Sequence, residues 1–119
     1  MEPRLKLWLE RNGRIVMSEY RLRLLALVAE TGSLAEAAER MGLSYRRAWG
    51  KIKELERNLD LPLVESAAGG VGGGHTTITA EGRDLLRRFA EFQTQAEAAV
   101  NAAYERAFTR DRLQGAGNS

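Results

Sequence analysis

Apolar and polar positions along this chain change period several times, and each change marks an element. Leu5, Leu7 and Leu9 alternate with Lys6, Trp8 and Glu10, the period-two pattern of a strand. Asn12-Gly13 follows, a pair that tolerates positive φ and closes tight hairpins, and Arg14–Met17 supplies the returning strand. The period then lengthens. Tyr20, Leu24, Leu27 and Val28 share one face of a helix that Ser18 is placed to cap and Gly32 to end. Leu22, Leu25 and Ala26 make much of its remaining surface apolar, so two neighbours are expected for it, one of them a partner subunit.

Ser33 and Glu36 form the S-x-x-E capping box of a second, short helix that buries Leu34, Ala37, Ala38 and Met41. Gly42-Leu43-Ser44 reads as a positive-φ stop, an apolar plug and the next N-cap. A third helix over 44–59 clusters Ala48, Ile52, Leu55 and Leu59 on one side. Its other side carries Arg46, Gly50, Lys53 and Arg57, with Arg47 and Trp49 on the flanks. A short helix, a glycine turn and a longer basic helix make a helix-turn-helix.

Pro62 is expected to stop that helix. Leu63–Glu65 and Thr76–Thr79 read as strands joined by a glycine-dense loop over Ala67–His75, together a wing spanning 62–79. Thr79 caps a last helix, from Ala80 to about Arg110, interrupted only by Gly82. Leu85, Phe89, Phe92, Ala96, Ala99 and Ala103 follow the 4-3 spacing of a helix-pair seam, and Val100, Tyr104 and Phe108 form a stripe beside it. The Phe89/Phe92 part of the seam reads as core against the first helix or as a dimer interface, while the part beyond about Ala96 outruns a domain this small and implies a second copy of the chain, with Leu22 and Leu25 adding to the interface. The tail from Leu113 to Ser119 is expected to be disordered.

Composition narrows the function. A length of 119 residues suits one domain. Cysteine is absent and His75 is the one histidine, which excludes disulfides and thiolate zinc sites and leaves no acid–base–nucleophile cluster to assemble. No enzyme activity and no cofactor are expected. Apolar runs fall short of a membrane span. Met1 leads into mixed charge, not a signal peptide, so the expected location is the cytoplasm.

Net charge is only +2, but residues 1–60 hold twelve Lys/Arg against nine Asp/Glu, while 61–119 hold six against seven. The basic excess sits around the third helix, as phosphate neutralisation requires. Arg46 and Arg47 fit guanine edges or phosphates, whereas Lys53 and Arg57 lie further along and suit phosphates. Gly50 costs about 1 kcal/mol in a helix, a cost that makes sense where a groove must come close. Ser44 caps the helix beside a phosphate. Tyr45 and Trp49 read equally as contacts or as core-edge anchors, and His75 as a wing contact or a loop residue. The glycine loop lacks the Gly-Lys-Ser/Thr of a nucleotide cradle.

The run Leu24–Glu65 resembles the DNA-binding domain of LysR-type regulators. Within that class, Ser-Tyr-Arg-Arg-Ala-Trp at 44–49, the glycine-rich wing Ala67–Gly82 and the hairpin before the first helix are similar to the ModE family of molybdate-responsive regulators. The resemblance spans roughly residues 4–105. It implies a mainly α fold with small β: a winged helix-turn-helix over 1–79, with hairpin 4–17, helix-turn-helix 33–60 and wing 62–79. A dimerisation helix over 80–112 would follow. It implies a homodimer reading an inverted repeat in double-stranded DNA. Members of full length carry C-terminal molybdate-binding domains, and this chain ends after the long helix. An effector could then act on this chain directly or through a separate effector-binding partner protein. Two rival functions remain at this point, a non-specific architectural DNA binder and a protein-interaction module.

Overall fold

In the computed structural model, residues 1–70 and 73–108 are described, with backbone alone for 68–70, 73 and 74. Two compact units emerge, one of Leu7–Phe89 and one of Met1–Lys6 with the chain from Ala90. The elements run β1 (Trp8–Arg11), β2 (Arg14–Ser18), α1 (Glu19–Thr31), α2 (Leu34–Arg40), α3 (Tyr45–Leu59), β3 (Val64–Gly70), β4 (Gly73–Ile78) and α4 (Ala80–Ala107).

β1 and β2 pair antiparallel around Asn12 and Gly13, whose φ of 53° and 76° are the positive values such a turn needs. The strand starts at Trp8, later than the Leu5–Leu9 alternation suggested. All four β1 residues are exposed. An alternation covered on neither face carries no burial signal for its own start. Val16 and Met17 of β2 reach the core instead.

The caps of α1 and α2 follow the sequence. Ser18 Oγ accepts from the Arg21 amide at 3.2 Å, Ser33 Oγ from the Glu36 amide at 3.0 Å, and Gly32 closes α1 with φ 68°. Only half of the capping box forms, because the Glu36 carboxylate turns outward to Arg40 at 3.0 Å. α3 stops at Asp60, which adopts the left-handed conformation with φ 57° and donates its amide to the Glu56 carbonyl. Pro62 lies two residues past that stop.

Leu24, Leu25, Val28, Leu34, Ala37, Ala38, Ala48, Ile52 and Leu55 form the centre of the core, sealed by Met17, Leu63, Val64, Ile78 and Phe89. Four bonds tie its parts together. Asn58 Nδ2 donates to the Ile15 carbonyl at 2.9 Å, joining α3 to β2. The Thr76 amide donates to the Gly32 carbonyl at 3.1 Å, joining β4 to the end of α1. Thr79 Oγ1 donates to the Pro62 carbonyl at 2.7 Å and accepts from the Gly82 amide at 2.9 Å, fixing the start of α4 to the end of the α3–β3 turn.

Two expectations are corrected here. Most of the glycine segment is strand, with Ala67 opposite His75 and Gly70 opposite Gly73, because a ladder is built from backbone groups that glycine also carries. Positions 71 and 72 lie outside the described residues. α4 also runs through Gly82 without interruption. A Cβ there would stand 2.6 Å from the Leu63 carbonyl oxygen and 2.7 Å from Ile78 Cγ2, so glycine allows helix and strand to meet. The expected end of α4 near Arg110 and the expected tail from Leu113 lie outside the described residues.

In the second unit, Tyr104 Oη donates to the Met1 carbonyl at 2.7 Å, and the Tyr104 and Phe108 rings lie 5.3 Å apart. No described helix is long and apolar enough to cross a membrane.

Candidate nucleic-acid interface

α3 is positioned from both ends and from one side. Ser44 Oγ accepts from the Arg47 amide at 3.1 Å, fixing the first turn. Ala48, Ile52 and Leu55 are buried, so the helix cannot rotate about its axis without losing the core. The opposite face is open: Ser44, Tyr45, Arg46, Arg47, Gly50 and Arg57 are all exposed. Arg46, Arg47 and Arg57 have no carboxylate partner among the described residues, so their charge is available to an external anion.

Gly50 sits in the middle of this face. A Cβ placed there would meet nothing within 4 Å. Its conformation is helical and its surroundings are empty, so nothing inside the chain requires glycine.

Lys53 is less free than the sequence suggested, and Trp49 follows its core-edge alternative. Trp49 is half-buried against the core, with Lys53 Nζ 4.5 Å from its ring centroid. The same Nζ is 3.0 Å from Glu56 Oε1. Lys53 thus lies along the helix surface, held between an aromatic face and a carboxylate. Lys51 is drawn to the other flank, 5.3 Å from the Tyr20 ring. His75 is exposed on β4, within the wing.

Glu56 stands among the basic residues of α3, and its role is larger than that of a counter-charge. Its Oε2 accepts from the Leu63 amide at 2.7 Å and the Val64 amide at 3.2 Å, while Oε1 takes Lys53. One carboxylate therefore joins the last turns of α3 to the first residue of the wing. Burial opposes its ionisation, but the Leu63 amide, Lys53 and the Val64 amide outweigh burial and hold its pKa below the ordinary value. The i,i+3 spacing to Lys53 was a readable signal. The bonds across the turn to Leu63 and Val64 were not.

The model described as "Bacterial regulatory helix-turn-helix protein, lysR family" matches residues 20–83, more than half of the chain. The chain belongs to this lysR family. Its matched segment runs from the first turn of α1 through the wing to the start of α4. Among solved structures, the lysR-family chain is similar to the one titled "Crystal structure of CbnR_DBD-DNA complex", at 29% identity and TM-score 0.54, covering 73% of this chain and 98% of that one. A BenM DNA-binding-domain complex, at 21% identity and TM-score 0.56, shares the fold. Curated relatives include the molybdenum-pterin-binding protein MopA of Rhodobacter capsulatus, 40% identical over 68% of this chain and 31% of MopA. The DNA-binding transcriptional dual regulator ModE of Escherichia coli K12 is 33% identical over 75% of this chain and 34% of ModE. The chain thus spans about a third of the length of these relatives, and the ModE resemblance read from its motifs is matched by them.

For the dimer surface the lysR-family chain needs two corrections. Leu25 and Phe89, expected at the interface, are 0% and 2% exposed and belong to the core of the single chain. Both fall on helical faces that the core closes over, and a period cannot say which neighbour does the covering. Leu22 and Leu85 are half-buried against that core. Val100 and Tyr104 are also half-buried, Tyr104 being bonded to the N-terminal segment. Phe92, Ala99 and Ala103 are exposed, and Ala96 is half-buried.

Proposed function

We propose that the chain is a sequence-specific regulator that binds double-stranded DNA as a homodimer, placing α3 in the major groove. Gly50 carries this reading. It is a costly residue at the centre of an open cationic helix face, with no internal contact to justify it. Arg46 and Arg47 in the first turn would meet base edges or phosphates, and Arg57 a phosphate further along. Ser44 and Tyr45 stand at the helix entry beside the backbone, with Lys53 and Trp49 against one groove wall and His75 on the wing. Residues 1–79 would form the DNA-binding part and α4 the dimerisation helix, pairing through Phe92, Ala96, Ala99 and Ala103. Two reading helices would then lie about 34 Å apart, or a multiple of it, on an inverted repeat.

The names of the relatives support a tie to molybdate metabolism. In this reading the protein acts in the cytoplasm and catalyses nothing, and an effector could act on it directly or through a separate partner protein. Selection of bound fragments from a randomised duplex pool, with and without molybdate, tests these statements. An inverted repeat shared by the bound fragments, unchanged by molybdate, is the expected result. Fragments lacking any shared repeat would reduce the protein to a non-specific binder, and a molybdate-dependent set would put the sensor in this chain.

A further inference from the structure

The N-terminal hairpin contributes no residue to the proposed DNA contacts, yet its surface is unusual. β1 pairs with β2 on one side only, so its outer edge keeps unpaired backbone donors and acceptors. Trp8 is 50% exposed and Leu9 36%, adjacent on that strand. Arg11 and Arg14 face each other across the turn, an opposition of like charges that weakens a strand pair. Glu10, the one carboxylate in residues 8–18, is engaged by Trp8 Nε1 at 2.8 Å. Neither arginine has an ion-pair partner among the described residues. Charge on an edge strand also deters aggregation, but that purpose does not call for an exposed tryptophan beside it. Tryptophan and arginine together are the residue types that anchor protein interfaces.

Position separates this patch from the reading half of α3. The hairpin is fastened at Ile15 to Asn58, three turns beyond Arg46 and Arg47. We propose that the hairpin docks an extended, acidic segment of a partner protein. The segment adds as a strand to the free edge of β1, sets carboxylates on the face of Arg11 and Arg14, and covers Trp8 on the opposite face with an apolar side chain. Carboxylates supply the charge that the two facing arginines lack.

Panning a displayed library of random peptides against the full chain tests this. Enriched peptides should alternate carboxylates with apolar residues and slow amide exchange at Trp8–Arg11. Arg11→Glu/Arg14→Glu should weaken them at least about tenfold, while Arg11→Lys/Arg14→Lys should preserve binding and serves as the control for folding. Enrichment of no such class, or binding indifferent to charge reversal or centred elsewhere, overturns the proposal. A fall in the salt slope of duplex binding in the charge-reversed variant would also overturn it, by assigning the hairpin to nucleic acid.

Discussion

Replacing Glu56 by glutamine isolates the charge that ties α3 to the wing. The glutamine carbonyl can still accept from the Leu63 and Val64 amides, but these bonds become neutral, and Lys53 faces an amide group instead of a carboxylate. Hydrogen bonds to a charged group contribute about 1.5–3 kcal/mol each, against about 1 for neutral ones. The Lys53 pair, with its lysine 41% exposed, adds little, at most about 1 kcal/mol. The expected loss is therefore about 1.5–3 kcal/mol at neutral pH, or a fall in Tm on the order of 10 °C for a domain of this size.

The pH dependence gives the sharper test. Because the folded-state pKa of Glu56 is lowered from 4.5, its contribution is complete above that value and is lost as pH falls through the folded pKa. Urea denaturation of both proteins, followed by circular dichroism, should give a stability difference of about 2 kcal/mol at neutral pH that shrinks steadily in acid below the ordinary glutamate range. Asp84, whose pKa is lowered by bonds from Arg88 and Arg87, is present in both proteins and cancels in the difference. A difference that stays constant from neutral pH into strong acid, or none at neutral pH, would refute the assignment of Glu56 as an ionised bridge.

Three further outcomes follow from the same geometry. Gly82→Ala places a methyl group against the Leu63 carbonyl and Ile78, and should cost about 1–3 kcal/mol by thermal or chemical denaturation. Gly50→Ala should do the reverse, stabilising the fold by up to about 1 kcal/mol, while the bulkier Gly50→Leu weakens duplex binding in a fluorescence-anisotropy titration with no loss of stability. Unchanged duplex affinity in Gly50→Leu would remove the main support for a groove-facing α3. On the proposed homodimer, Ala99→Glu/Ala103→Glu, at exposed positions of α4, should give monomer in sedimentation equilibrium with the helical circular dichroism of the chain retained. A persistent dimer would move the interface elsewhere.

Much of the helical layer was legible because helix boundaries are written in local chemistry. Ser18, Ser33 and Ser44 each cap the helix that follows them, and Gly32 and Gly42 take the positive φ their positions implied. The buried set of α3 came from period alone. What stayed hidden depends on partners distant in sequence. Leu25 and Phe89 carry the same apolar signal whether a second copy or the chain's own core covers them. Glu56 shows only its spacing to Lys53, since its two amide partners lie beyond a turn whose path the sequence does not fix. The glycine segment read as loop because side-chain pattern is the only strand signal a sequence offers, and glycine has none.

Gly50 and Gly82 bring these two kinds of information to one point. Both stand inside helices, where each costs stability relative to alanine, and from the sequence they are the same observation. The structure separates them by what surrounds the missing Cβ. At Gly82 the space is already taken by Leu63 and Ile78, so the glycine is explained within the fold. At Gly50 the space is empty and opens onto the face carrying Arg46, Arg47 and Arg57, so the fold leaves the cost unexplained. A residue that costs stability and serves no internal contact points to an external one. On the proposed DNA reading that external surface is negatively charged, which suits Arg46, Arg47 and Arg57, none of them with a carboxylate partner among the described residues.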